Sequence, residues 1–362
     1  MSLVMKRLIF VWLLIPIICS CKGGSSDGNY YLPSDNEQEC KVELLCELDW
    51  AARMYVYRLF PIDSTLIVLG WDLATETGVH TYTLPGMERR DYLHRGRGDN
   101  EMMHFFQSPY IQDNQLYLYW QDKAISMDID SILLSQKEII SPVLPPSSKW
   151  IRYKREIGDK CFEMVSSSPL VGREQFPRFR VKDEFDNVLV ENWTWPREDP
   201  VWRFNAYSQV ILYFSPDCSR YVTAVNPYGG IIETFSFPSL EQIAYNEIFL
   251  PEFTTTASTT HTSIKYKNKR YGFTDISTTN SEIWAIWDGA TDWSVPDDER
   301  PYPTKNTIAV FDWDLNLKRT IKLDYNVYNI AYDEASNVLY VVAANKSGDR
   351  YLGRIILDKE YD

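Results

Sequence analysis

Tryptophan close to aspartate is the combination in this chain that points most directly to a binding chemistry. A flat indole face packs against a sugar ring, and carboxylates accept hydrogen bonds from the ring hydroxyls. We therefore expect a ligand-binding surface on Trp287, Asp288, Asp292 and Trp293. The alternative is that these tryptophans pack inside the fold, since Trp284 and Trp287 would lie on opposite faces of a strand. A second aromatic segment contains Trp193, Trp195 and Trp202.

Motifs for catalysis and metal binding are weak. Gly96-Arg97-Gly98 lacks the third glycine of a dinucleotide-binding loop, and no GxxxxGK[ST] or HExxH pattern occurs. A carboxylate pair for glycoside hydrolysis stays open as an alternative, although nothing distinguishes two of the 50 acidic residues. The acidic run at residues 297–299 is typical of a solvated loop, with a calcium site as the alternative. The four histidines do not cluster with cysteines at zinc-ligand spacing, so we expect no metal and no cofactor.

The first 21 residues predict export and lipid attachment. Lys6 and Arg7 precede an apolar run at residues 8–18, and Ser20 precedes Cys21. This layout is that of a secretory signal and resembles a bacterial lipobox, in which the cysteine after the cleavage site is acylated. The alternative, a transmembrane helix, is disfavoured because the apolar run is too short to span about 30 Å of hydrocarbon. We expect residues 1–20 to be removed.

The expected location follows from these segments and from charge. Residues 21–38 are rich in Gly, Ser, Asn and Asp, which predicts a flexible tether to the cell envelope, with the outer membrane favoured and either face open. The chain carries 37 basic and 50 acidic side chains, a net charge of −13. Such a surface repels phosphate backbones and disfavours nucleic-acid partners. It also lacks a polybasic patch for anionic lipid, so attachment would depend on the acyl chains.

Four cysteines would remain in the mature domain: Cys40, Cys46, Cys161 and Cys218. In an exported chain they permit two disulfides in three connectivities. The alternative is that they are free thiols that pack as small apolar side chains. The sequence leaves both possibilities open.

A repeat of strand-like runs predicts the architecture of residues 39–362. Six apolar runs recur at intervals of about 50 to 60 residues, and most are followed by two further strand-like segments. This spacing matches one four-stranded blade with its loops, so we predict an all-β, six-bladed β-propeller of four-stranded antiparallel blades. The last run is followed by one strand only, and residues 41–48 have no partner at the N-terminus. We predict that this N-terminal strand completes the last blade; the alternative is that it begins the first. We also expect a strand at residues 134–139, and within residues 240–249 either a strand at 243–248 or a helical turn.

Three local patterns give a family resemblance. Residues 214–221, Phe-Ser-Pro-Asp-Cys-Ser-Arg-Tyr, resemble the SPDG hairpin of TolB-type propellers, with Cys218 where glycine is usual. Residues 96–101 resemble a G-x-G-x-x-E link between blades, and residues 327–343 resemble an inner-strand pair. Together with Cys21, the chain resembles the TolB-like or NHL-like six-bladed propeller lipoproteins of Bacteroidales. The resemblance implies the fold, and our hypothesis for the function is a non-enzymatic binding or scaffolding module for a protein, peptide or glycan partner. The alternative is a carbohydrate-active enzyme with carboxylates at the mouth of the channel.

Overall fold

A computed structural model describes most of the chain from residue 32 onward. The described residues are 32, 34–50, 56–103, 109–120, 123–143, 151–165, 176–197, 199, 201–203, 210–226, 229–250, 252–257, 262–266, 270–289 and 302–357. Cys21, Asp292 and Trp293 lie outside this set. None of the helices in the described ranges is long and apolar enough to cross a membrane.

Twenty-seven strands are present in the described residues, and most of them form six sheets that follow one another along the chain. Two short strands come first: β1 (Glu37–Cys40) and β2 (Glu43–Glu47). Blade 1 contains β3 (Val56–Ile62), β4 (Thr65–Asp72), β5 (Thr77–Thr83) and β6 (Arg89–His94). Blade 2 contains β7 (Tyr110–Gln112), β8 (Gln115–Trp120), β9 (Lys123–Asp128) and β10 (Ile140–Val143). Blade 3 contains β11 (Ile151–Ile157), β12 (Lys160–Val165), β13 (Phe179–Asp183) and β14 (Val188–Asn192).

The second half repeats this order with one insertion. Blade 4 contains β15 (Ile211–Phe214), β16 (Arg220–Ala224), β17 (Gly230–Ser236) and β18 (Gln242–Phe249). A separate hairpin follows, β19 (Phe253–Ala257) with β20 (Thr262–Tyr266). Blade 5 contains β21 (Phe273–Thr278), β22 (Glu282–Trp287), β23 (Thr307–Asp312) and β24 (Leu317–Leu323). Blade 6 contains β25 (Asn326–Asp333), β26 (Val338–Ala344) and β27 (Arg350–Ile356).

The predicted closure of the ring is confirmed. The strand β2 pairs antiparallel with β27 and supplies the fourth strand of blade 6, while β25 contacts β3 of blade 1. Arg354 donates two hydrogen bonds to Glu43 across this pairing, at 2.8 and 2.9 Å. The strand β1 begins at Glu37, two residues inside the predicted tether, and pairs in parallel with β24 as a fifth strand of blade 5. The N-terminal segment therefore covers the outer edges of two adjacent blades.

Burial explains why the apolar runs mark the second strand of each blade. A central strand is covered on both faces by neighbouring blades, so it is apolar throughout; all seven residues of β26 are buried. An outer strand is only partly covered, and β14 keeps Val188 and Leu189 half exposed. The core consists of clusters between adjacent blades. This arrangement confirms the all-β, six-bladed prediction.

Three local predictions have distinct outcomes. The helical turn predicted within residues 240–249 is wrong, because that segment forms β18, with its face toward blade 5 packed in the core. The strand predicted at residues 134–139 is also wrong: a π-helical turn, Ser131–Ser135, comes first and β10 starts at Ile140. Cys218 adopts the left-handed conformation that glycine favours, with φ of 58°, and its N–H donates to the Ser215 carbonyl at 2.8 Å. The four cysteines of the domain are free thiols.

Candidate functional site

Four polar side chains meet at the centre of the ring. They come from the first, innermost strand of blades 1, 4, 5 and 6, and we call them the central layer: Arg58, Tyr213, Asp275 and Asn329. The guanidinium carbon of Arg58 lies 3.7 Å from the centroid of the Tyr213 ring. Blades 1 and 4 are opposite each other in a ring of six, so Arg58 reaches across the channel. It also donates to the Pro109 carbonyl at 2.8 Å, next to blade 2.

Asp275 is the centre of a hydrogen-bond network in this layer. The Tyr213 hydroxyl donates to Oδ1 at 2.7 Å, and the Ile330 N–H and the Asn329 amide donate to Oδ2 at 3.0 and 3.3 Å. The inner edge of β25 has no further strand beside it, so the carboxylate supplies the acceptor that the Ile330 N–H needs. Asp275 is 4% exposed, and burial raises its pKa above the ordinary range even though the hydrogen bonds and Arg58 oppose that shift.

The same network links the blades around the channel. Besides its bond to Asp275, the Asn329 amide donates to the Tyr57 carbonyl of blade 1 at 3.4 Å. Tyr213, Asp275 and Asn329 thereby connect blades 4, 5, 6 and 1 in order. At this level these side chains tie the wall of the channel together.

A recess opens on the hairpin side of the central layer. Its volume is about 480 Å³, and its lining residues are Pro61, Pro216, Thr278, Thr279, Tyr332, Asp333, Glu334 and Ala335. Four of these lie three positions after the members of the central layer, one in each of the same four blades. Three residues of extended chain span about 10 Å. The recess is therefore a mouth of the channel that ends at the central layer.

The walls of the recess are held rigidly by their own contacts. Tyr332 stacks on Trp284 with ring centroids 4.3 Å apart, and its hydroxyl donates to Asn337 at 2.6 Å. The Thr278 hydroxyl donates to the Phe214 carbonyl at 2.7 Å. Asp333 accepts hydrogen bonds from the Ala335 N–H and the Ser336 hydroxyl, so its carboxylate stabilises the turn that follows β25. These contacts fix the shape of the recess before any ligand binds.

The expected site residues Trp287 and Asp288 lie at the other end of blade 5. Trp287 is 2% exposed and packs against Phe273 and Phe249, with ring centroids 5.0 and 5.9 Å away. Asp288 is 3% exposed, and its N–H donates to the Gly272 carbonyl at 3.0 Å. Trp284 packs on the opposite face of the strand, so the interpretation that tryptophans fill the space between blades is confirmed for this pair. The expected surface at Asp292 and Trp293 remains a prediction, because both residues lie outside the described ranges.

The second aromatic segment divides between core and surface. Trp195 and Trp202 are buried in a cluster with Val225 and Ile231. Trp193 is 51% exposed, and its indole N–H donates to Glu191 at 3.2 Å. Among the described residues, no group of three or more His, Cys, Asp or Glu side chains could hold a metal ion.

A cationic group lies at the mouth opposite the recess. The Lys305 Nζ is 4.5 Å from the centroid of the Tyr328 ring, and the guanidinium carbon of Arg350 is 4.7 Å from it. Burial lowers the pKa of Lys305, although Asp288 and Asp275 act in the opposite direction. Sequence reasoning missed this group and the central layer, because residues far apart in the chain build both.

Comparisons with known proteins agree with the fold. A family model described as "TolB-like 6-blade propeller-like" matches residues 39–335. No curated protein matches the chain. Among solved structures, a putative exported protein from Bacteroides fragilis is 10% identical, with a TM-score of 0.48, and the alignment covers 90% of this chain and 100% of that one.

A second solved structure is also similar to this chain. The β-propeller domain of Myceliophteria thermophila Cps50 (Swd1) is 10% identical with a TM-score of 0.39, covering 84% of this chain and 100% of that one. At such identities the similarity concerns the fold alone. The family model spans most of the chain, and the six closed blades agree with it: the chain belongs to the TolB-like six-bladed propeller family.

Proposed function

We propose that this protein is a lipid-anchored, non-enzymatic propeller of the cell envelope that holds a partner protein at the recess. One observation carries the proposal: the recess is an open surface on four blades, with the central layer about 10 Å below its rim. The recess is open rather than enclosed, and four blades contribute to its walls.

The chemistry of the recess indicates the kind of protein segment it would take. Pro61, Pro216 and Tyr332 supply apolar surface, while Asp333 and Glu334 add negative charge at one wall. Glu334 is exposed, and the chain as a whole is acidic. A partner segment with a basic side chain beside an apolar one fits this combination, since charge complementarity guides association.

The proposed location depends on the sequence. The charged and apolar segments before Cys21 favour export and acylation, and the acidic surface leaves the acyl chains as the means of membrane attachment. The propeller would then present the recess to other envelope proteins, with the outer membrane as the favoured site of anchoring.

A site-specific photo-crosslinking experiment tests the proposed recess. The photoreactive amino acid p-benzoylphenylalanine replaces Ala335 in the full-length protein, which is expressed in its own cells and irradiated. We expect a discrete protein adduct. Glu334→Arg in the same background should reduce its yield at least about tenfold, because a like charge at an interface costs more than about 1.4 kcal/mol.

The matched control is Glu184→Arg, at an exposed position on the outer hairpin of blade 3. It makes the same change of charge on the same side of the ring, away from the recess, and should leave the adduct unchanged. Absence of any adduct, or equal yields from the two variants, would show that the recess is not the contact surface.

A further inference from the structure

The mouth opposite the recess carries a second feature that the proposed protein contact does not use. We propose that Lys305 and Arg350 form a binding site for a carboxylate group at this mouth. The two side chains come from different blades: Lys305 precedes β23 of blade 5, and Arg350 begins β27 of blade 6. The inference goes beyond the proposed function, because it concerns a different surface and a different ligand.

Tyr328 brings the two cations together. Both lie within 5 Å of the centroid of its ring, at 4.5 Å for the Lys305 Nζ and 4.7 Å for the Arg350 guanidinium carbon. The two positive groups are therefore no more than about 9 Å apart, a distance at which they repel each other in a partly buried setting. A bound anion would relieve that repulsion.

The backbone around Lys305 is fixed in place by blade 6. The N–H groups of Thr304 and Lys305 donate to the Asn326 side-chain oxygen at 2.8 and 3.0 Å, and the Lys305 carbonyl accepts from the Val327 N–H at 2.7 Å. The ammonium group is thus presented from a rigid segment. A ligand would not have to order that segment on binding.

The Lys305 ammonium has N–H donors that are not used in hydrogen bonds within the described ranges. Within that part of the chain its Nζ makes no hydrogen bond or ion pair, and it lies against the Tyr328 ring. Burial lowers the pKa of Lys305, despite the carboxylates of Asp288 and Asp275. Asp275 is already committed to Tyr213 and Ile330. A carboxylate from outside would supply the missing acceptor.

The ligand class follows from the donors. An ammonium group offers three N–H donors, and a guanidinium offers a planar fork that matches the two oxygens of a carboxylate. Arg270 lies at the same end of blade 5, where its guanidinium donates to the Gly289 carbonyl at 3.3 Å. In a chain with a net charge of −13, such a grouping is directed at a negatively charged ligand. The carboxylate could belong to an acidic sugar or to the C-terminus of a polypeptide.

Calorimetric titration of the purified full-length protein tests the site with two probes. Glucuronate represents an acidic sugar and N-acetylglycine represents a polypeptide C-terminus; glucose and N-acetylglycinamide are their neutral counterparts. We expect saturable binding of at least one carboxylate, at least about tenfold tighter than its neutral counterpart. The tighter of the two probes identifies the source of the carboxylate.

Variants assign the binding to Lys305. Lys305→Met should weaken carboxylate binding at least about tenfold, and Lys305→Arg should retain most of it. The matched control is Lys322→Met, which removes an exposed lysine of β24 in the same blade and should change nothing. No saturable binding, equal binding of charged and neutral probes, or equal affinities for Lys305→Met and Lys322→Met would overturn the proposal.

If Lys305→Met does not fold, a measurement on the unaltered protein tests whether a carboxylate binds at Lys305. Peptide mass spectrometry follows the rate at which an N-hydroxysuccinimide ester acetylates each lysine. A saturating carboxylate probe should slow acetylation of Lys305 several-fold and leave Lys322 unaffected. Equal rates at Lys305 with and without the probe would refute the site.

Discussion

Gly353 of β27 lies where the closing N-terminal segment passes against the last blade. A Cβ atom added at this position would be 2.5 Å from the Val42 Cγ1, 3.2 Å from the Glu43 carbonyl oxygen and 3.3 Å from the Val341 Cγ2. Val42 is buried, and its N–H donates to Asp324 at 3.0 Å. The absence of a side chain at position 353 therefore makes room for the valine that locks the N-terminal segment between blades 5 and 6.

Gly353→Ala should destabilise the propeller by about 1 to 3 kcal/mol, the usual range for an extra carbon in a filled core. Val42→Ala alone should cost about 1.5 to 3 kcal/mol, because two buried methyl groups are lost and a cavity remains. The double variant should cost at least about 1 kcal/mol less than the sum, since the new methyl occupies the space that the valine has left.

Urea unfolding of the full-length protein, followed by tryptophan fluorescence, measures these differences. Gly86→Ala is the control, because a Cβ atom there meets nothing within 4 Å. Its free energy of unfolding should change by no more than about 0.5 to 1 kcal/mol. Additivity of the two single changes within about 0.5 kcal/mol would mean that Val42 and Gly353 do not compete for the same space, and the account of ring closure would fail.

Two further predictions concern the anchor and the response to acid. Cys21→Ala should move the protein from the membrane fraction to the soluble fraction, as measured by fractionation and immunoblotting; retention in the membrane would contradict acylation at Cys21. Burial raises the pKa of Asp72, but the Arg89 guanidinium at 2.5 Å and the Ala74 N–H outweigh it, so the pKa is lowered overall. This stabilisation is present above about pH 4 and is lost as pH falls through the folded-state pKa. Asp72→Asn should therefore cost about 1 to 3 kcal/mol at pH 7. The difference from wild type should shrink below pH 4 in acid unfolding curves, and a gap that stays constant to pH 2 would refute the assignment.

The architecture was predictable because it depends on local pattern. Each second strand is covered on both faces, so it is a continuous apolar run, and six such runs give six blades. The missing outer strand of blade 6 was likewise predictable, because the last apolar run is followed by only one strand-like segment. The errors fall where the local pattern is ambiguous. The apolar residues of 134–139 do not alternate, so the pattern did not distinguish a turn from a strand. In the structure Leu134 and Ile139 are both at least half exposed.

The candidate sites were not predictable in the same way. Arg58, Tyr213, Asp275 and Asn329 are spread over more than 270 residues, and only ring closure brings them together. Trp287 and Asp288 were chosen for their chemistry, yet a tryptophan at the end of a central strand is in the space between blades, where apolar burial outweighs any use as a sugar platform. Local composition indicates which residue types are available, and topology decides which of them reach a surface.

The course of the N-terminal segment has a consequence for how the ring would be presented. Leu32 packs against the cluster between blades 4 and 5, β1 follows the edge of blade 5, and Leu48 is buried where blade 6 meets blade 1. A lipid on Cys21 would therefore hold the propeller by its rim. The ten or so residues between Cys21 and Leu32, if flexible as their composition predicts, reach about 18 Å. Such attachment at the rim would leave both ends of the channel accessible, so the recess and the cationic mouth would be able to bind different ligands at the same time.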